Sequence, residues 1–245
     1  HDKDPKAFER ECLAVFQDSV SGFLDGARLA DATDTGILER PPLPANVYVA
    51  AMDPGFKRDA FAFAVGHAEA ERGVVIDVVR QFMRDPTGPP LNPVVLFAQE
   101  SVPLLRAYKI ATVQCDQYHF ESLLQLALQQ GFSLDYTPFS ATTKASIYGN
   151  LKSLLNQKRM RLVDHPATLK ELAQLELTLG GTGSVQIAAP KGGHDDLSTV
   201  VALIAHHCLW MLPALPTPPT PEVKAVVDVT FYNDEQLGGI TLPLK

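Results

Sequence analysis

Cysteine is scarce: Cys12, Cys115 and Cys208 are the three in 245 residues, and no two form a CxxC pair. Their scatter excludes a disulfide-built scaffold and a structural zinc finger. Cys115 and Cys208 lie in apolar contexts and are expected to be small core residues. No apolar run reaches the ~18 residues that a membrane-spanning helix needs. The opening residues HDKDPKAFEREC have no apolar leader core, so an intracellular protein without membrane contact is expected. Positive charge is in short supply, with 21 Lys and Arg against 28 Asp and Glu, a formal net charge of −7. That balance argues against a general nucleic-acid binder, although a local basic groove is enough for phosphate contact.

What is present is an ordinary globular composition, 46% hydrophobic and 20% charged. The stretch that organises the chain is Ala45 to His67, ANVYVAAMDPGFKRDAFAFAVGH. One apolar run ends on Asp53, Pro54 and Gly55, and a second begins after Asp59, which reads as a buried strand, a tight turn and a returning strand. A carboxylate at the end of a buried strand is costly to desolvate without a partner. Either a cation sits there or Asp53 caps its own turn.

The chain before this stretch predicts a short helix over Pro5–Gln17, a poorly defined connection, and a linker over Asp31–Pro44. Strands are predicted at 47–53, 60–66 and 73–82, close enough for antiparallel hairpins. A Pro/Gly loop at 85–92 leads to a helix over 93–107, a strand over 110–115 ending at Asp116, a helix over 118–130 and a strand over 133–138. Then come a helix over 142–157, a strand at 160–163, a helix over 166–177, a turn at 180–184, a strand at 185–189, a turn at 191–194 and an apolar helix over 195–210. Trp210 and the aromatics of the second strand are expected to fill the core. A Pro-rich linker begins at Pro213, and a strand-like run covers Val223–Tyr232. Three antiparallel strands followed by alternating helices and strands predict an α/β domain over 45–212, with a mixed sheet and helices on both faces. Residues 1–44 and 213–245 are expected to flank it.

Three places put Asp at a strand end or helix start: Asp53, Asp116 and the pair Asp195-Asp196. If they converge, their mutual repulsion calls for a cation. Oxygen-only ligands suit Mg²⁺ or Mn²⁺, and two such ions ~4 Å apart are a known device for in-line hydrolysis of a phosphodiester. The alternative for Asp195-Asp196 is an N-cap pair on the helix dipole. Adjacent helical residues point ~100° apart, so Asp196 is expected to ligate, with Asp195 capping or binding a second ion.

The segments MDPGFKRDAFAFAVG, TVQCDQYH and GGHDDLSTVVALIAH together resemble the nuclease domain of the large terminase subunit of tailed bacteriophages, over about Asn46 to His206. FERECLAVFQDSVSGFLD resembles the segment that joins the ATPase and nuclease domains in that family. The resemblance implies an RNase H-like (RuvC-like) fold and a metal-binding triad of Asp53, Asp116 and Asp196. It implies an accessory acid at Asp59, which can equally be a surface residue at a strand start. It also implies double-stranded DNA as substrate, cut with little sequence preference during viral genome packaging. The implied partners are a terminase ATPase domain, a portal protein and a small terminase subunit, in the cytoplasm of an infected bacterium at the procapsid portal. Large terminases carry a Walker A loop, whereas no GxxxxGK[ST] occurs here, and Gly180-Gly181-Thr182-Gly183 lacks the Lys. The chain is therefore expected to be a nuclease domain without its motor.

Among basic residues, Lys57 and Arg58 sit in the turn after Asp53, as phosphate contacts or as solvated turn residues. Lys144, Lys152, Lys158, Arg159 and Arg161 form a stretch without an acid, which suits a backbone-reading groove or a solvated helix face. Lys144 is placed to lie near a scissile phosphate. His194 can steer water, bind phosphate, ligate metal or serve the turn, while His206 and His207 read as structural. Three rivals to the nuclease are weighed: a junction resolvase or transposase-type enzyme, an actin-like or sugar-kinase-like ATPase, and a non-catalytic DNA-docking module.

Overall fold

The computed structural model describes residues 20–55, 60–85, 87–115, 121–179 and 185–213. Asp59, Asp116, Lys57, Arg58, the helix expected over 5–17, the turn at 180–184 and the strand expected over 223–232 lie outside them. The chain separates into a compact unit, His1–Pro213, and a second unit, Ala214–Lys245, which is also outside the described residues.

The central sheet is built on a meander of β3 (Tyr48–Asp53), β4 (Phe61–Glu69) and β5 (Gly73–Phe82), all antiparallel. On one side β6 (Thr112–Cys115) pairs parallel to β3, and β7 (Ser133–Tyr136) parallel to β6. On the other, β8 (Met160–Val163) pairs parallel to β5, and the two-residue β2 (Thr33–Asp34) parallel to β8. The order β2-β8-β5-β4-β3-β6-β7 is the expected mixed sheet. A smaller antiparallel sheet joins β1 (Val20–Gly22), β9 (Glu176–Leu179) and β10 (Val185–Ala188).

The sequence FAFAVG of β4 shows how the layers form. Side chains alternate across a strand, so Phe61, Phe63 and Val65 enter one core and Ala62 and Ala64 the other. The bulky face packs with α2 (Pro93–Leu96), a π-helical turn (Phe97–Ser101), α3 (Val102–Ala107) and α4 (Glu121–Gln129). The small-residue face takes α5 (Ala141–Asn156), α6 (Pro166–Gln174) and α7 (Asp196–Leu209). α7 is buried on nearly every side from Asp196 to Ala205, as its all-round apolar sequence requires. It approaches the sheet so closely at Gly66 that a Cβ there would lie 2.6 Å from the Val75 carbonyl oxygen and 2.7 Å from Cγ2 of Ile204. No helix among the described residues is long and apolar enough to cross a membrane.

Three expectations are corrected. Residues 20–34 are not a connection and linker: β1, α1 (Gly26–Ala32) and β2 belong to the fold, and Phe23, Leu24, Leu29 and Ala32 are in the core. The helix expected to run to Leu177 stops at Gln174, because residues 176–179 gain strand partners on both sides. Trp210, just beyond α7, is 80% exposed and fills no core.

Candidate active site

Asp53 ends β3, 7% exposed, where Pro54 has no N–H to offer and the Gly55 N–H turns back to Asp53 Oδ1 at 3.3 Å. Gly55 has φ +45°, a left-handed conformation that glycine adopts without steric cost. Asp53 pairs across the sheet with Ala62, and Ala62 with Gln81. Directly paired residues share a face, so Asp53 and Gln81 project on the same side as Ala62, the side covered by α7. Two strand spacings, ~10 Å, separate their backbones.

Gln81 ties that rung to the start of α7. Its side-chain amide donates to Glu171 Oε1 of α6 at 3.1 Å. Glu171 Oε2 in turn accepts the backbone N–H groups of Leu197 and Ser198, at 2.8 and 3.1 Å. Asp196, the first residue of α7, is thus tied through Glu171 to the rung that carries Asp53, and it is 5% exposed. Burial raises the Glu171 pKa from its ordinary value; the α7 N–H groups oppose that shift and Asp196 adds to it. Tyr148 of α5 has its hydroxyl 3.2 Å from those of Ser198 and Thr199, in the first turn of α7. Burial drives its pKa up, and the charges of Asp195 and of Asp53 both push it further.

Asp195 and His194 occupy the approach. Asp195 is the N-cap residue by position, but its side chain makes no capping bond. Its Oδ2 meets Lys144 Nζ at 2.9 Å, with Lys144 in the first turn of α5 and packed over the rings of Phe139 and Tyr148. The His194 ring lies 3.6 Å from Asp196 Oδ2. β6 runs beside β3 with Cys115 next to Met52; Asp116, the next residue, is outside the described residues, as is Asp59. Among the described residues no group of three or more His, Cys, Asp or Glu could hold a metal ion. Asp53, Asp195 and Asp196 do not by themselves form such a group, but each is a carboxylate, the ligand type that suits a hard divalent cation.

The basic stretch divides. Lys144 is at this site, whereas Lys158 lies just past the far end of α5, whose run from Lys144 to Asn156 spans ~18 Å at ~1.5 Å per helical residue. There Lys158 faces Asp31 at 3.6 Å and Arg161 engages Asp34 and the Asp31 carbonyl. Arg159 reaches the Pro213 carbonyl at 3.4 Å, and Lys152 lies over the Phe23 ring. Asp34 also takes Arg40 and Arg72, so three arginines share one carboxylate and part of the positive charge here is engaged within the chain.

Two parts of the site had gone unread in the sequence. Glu171 falls on the stripe of Thr168, Leu172 and Leu175 that α6 turns inward, and an acid on an apolar stripe is the signal that marks it. Tyr148 shows no such mark, since its periodicity is that of any core aromatic.

Sheet order and layering define the class: this is the RNase H-like fold of terminase nuclease domains. The particular likeness is to the large terminase nuclease from the thermophilic phage G20c, with a TM-score of 0.62 at 19% identity over 74% of this chain and 96% of that one. Structures of that nuclease exist with bound magnesium and with bound cobalt. The large terminase of bacteriophage HK97 gives a TM-score of 0.61 at 14% identity, over 78% of this chain and 44% of that one. The large terminase nuclease domain of Thermus phage P74-26 gives 0.58 at 18%, over 73% and 92%. No protein-family model matches the sequence, and no curated protein does.

Proposed function

We propose that the chain is a divalent-metal-dependent endonuclease that cuts double-stranded DNA with low sequence preference during viral genome packaging. What supports this reading is that Asp53, at the end of β3, and Asp196, at the start of α7, are both buried carboxylates, and that α7 packs on the sheet face to which Asp53 projects, in a chain with the terminase nuclease fold. Asp53, Asp116 and Asp196 would hold Mg²⁺ or Mn²⁺, with Asp195 and Asp59 available to a second ion. Such ions, when bound, supply charge neutralisation at the phosphate and acidify water for in-line attack.

The chain's own residues do the rest. Lys144 holds Asp195 toward the site and presents a cation where the phosphate would lie. His194, part exposed beside Asp196, faces the position from which water or phosphate would enter. Lys57 and Arg58 extend the phosphate contacts next to Asp53. Lys152 on α5, and Lys158, Arg159 and Arg161 beyond its end, would meet DNA that runs the length of the helix, roughly seven base pairs at ~3.4 Å each. A terminase ATPase domain, a portal and a small terminase subunit would be its partners, in the cytoplasm of an infected bacterium.

The test is plasmid cleavage with Mg²⁺, Mn²⁺, Ca²⁺ or EDTA, using the wild type and Asp53→Ala, Asp116→Ala and Asp196→Ala, each checked for folding by circular dichroism. Cleavage with Mg²⁺ or Mn²⁺ that is lost in EDTA and in all three variants is expected. Full activity in any two of them refutes the assignment. Preference for branched DNA would favour a resolvase, and binding of DNA without metal dependence a docking module.

A further inference from the structure

We propose that Glu171 is a positioning residue that caps α7 from a neighbouring helix, so that Asp195 and Asp196 stay turned toward the site. At an ordinary helix start the N-cap side chain accepts the N–H of the second or third helical residue. Asp195 is the N-cap here, and those residues are Leu197 and Ser198. Both of their N–H groups go to Glu171 Oε2, at 2.8 and 3.1 Å. The Asp195 side chain makes no capping bond and instead meets Lys144 at 2.9 Å.

The sequence makes this arrangement necessary. A short acid at an N-cap has a strong local alternative, which is to fold back onto its own helix. Glu171 removes that alternative by occupying the donors first. Its second oxygen accepts from Gln81, one rung partner away from the Asp53 pair, and this fixes where along the sheet α7 begins. One side chain thereby sets both the height of Asp196 and the direction of Asp195. Only the final step, the consequence for metal, rests on the nuclease reading.

The experiment uses the full chain with Glu171→Ala, Glu171→Gln, Asp195→Ala and the double variant Glu171→Ala/Asp195→Ala. Thermal melts without metal come first. Asp195→Ala should lower the wild-type Tm only slightly, since its side chain caps nothing there and its half-buried pair with Lys144 is still reached by solvent. In the Glu171→Ala background, where Asp195 has become the cap, the same change should lower Tm by roughly 2–4 °C. Equal effects in both backgrounds overturn the proposal.

Mn²⁺ titration by calorimetry follows. Glu171→Ala should weaken binding roughly 10–100-fold, the usual loss when a residue that orients metal ligands is removed. Glu171→Gln, whose amide oxygen can accept the same two N–H groups, should restore most of it. Unchanged affinity in Glu171→Ala, or no rescue by Gln, refutes the positioning role. If Glu171→Ala does not fold, Gln81→Leu takes its place: a measurable loss of affinity is expected and none refutes. Asp196→Ala is the control for the underlying reading. If it binds Mn²⁺ like the wild type, the metal assignment fails, while the metal-free melts still decide the cap.

Discussion

Gly66→Ala is the perturbation that most directly tests how α7 is seated. Nothing about the Gly66 backbone demands glycine, so in open space an added methyl would stabilise by about 0.4–1 kcal/mol through the unfolded chain. Here the Cβ would stand 2.6 Å from the Val75 carbonyl oxygen, against the ~3.3 Å of a close C–H···O approach. It would stand 2.7 Å from Ile204 Cγ2, against an optimum of ~3.5–4.0 Å. The carbonyl belongs to β5 and is fixed by the ladder, so α7 must lift by about 1 Å. Overpacking of this kind costs about 1–3 kcal/mol, and the fixed carbonyl places the cost toward the upper end, about 2–3 kcal/mol. Across a unit of this size the melting temperature should fall by roughly 4–12 °C. Urea denaturation measures the cost. Ile204→Ala, itself worth about 2–5 kcal/mol, should combine with Gly66→Ala for less than the sum, because it removes the clashing atom. The lifted helix also carries Asp196, and a displacement of ~1 Å can cost about a hundredfold in rate. An unchanged or raised midpoint, or strict additivity with Ile204→Ala, refutes the packing argument.

Two further outcomes follow from other regions. His67 is buried with Nδ1 2.6 Å from Asp77 and Nε2 2.9 Å from Glu69; burial lowers its pKa, but the two carboxylates more than offset that and raise it. A raised histidine stabilises the fold below its unfolded pKa of about 6.5 and loses that contribution as pH climbs through the folded value. Urea midpoints should therefore decline from pH 6 upward, and His67→Phe should flatten that slope; a slope unchanged by the substitution speaks against the charged pair. Trp210→Ala should alter stability by no more than ~0.5 kcal/mol, given its exposure, and a larger loss would mean that the ring is packed.

The meander was legible because each strand carries its own signal. The alternation in FAFAVG and the Asp-Pro-Gly stop fix two strands and their turn to within a few residues. α7 was legible for the same reason, an uninterrupted apolar run opened by acids. The elements that escaped depend on distant partners. β9 reads as the end of a helix until β1, more than 150 residues earlier, and β10 pair with it. β2 is two residues long and exists only because β8 is beside it. α1 has seven residues, too few for a period to show, although Asp25 caps it by accepting the Ala27 N–H at 2.8 Å. At the site, the acids that end or open elements could be recognised, whereas Glu171 is marked only as an acid on the inward stripe of α6. That mark signals burial, but no local pattern records that its role is to hold another element's backbone.

The two rims of the large sheet bear on how the protein behaves at high concentration. A sheet of seven strands ordinarily offers two open edges to which another chain can add a strand. One rim here is only Thr33 and Asp34, with Arg40, Arg72 and Arg161 gathered on the Asp34 carboxylate. The other is the four-residue β7, whose Ser133, Asp135 and Tyr136 are exposed and whose Asp135 sets a charge in the strand. Among the described residues neither rim is long, flat and apolar, so neither offers a ready template for strand-by-strand aggregation. The described part of the wide sheet thus has no edge that invites fibre growth.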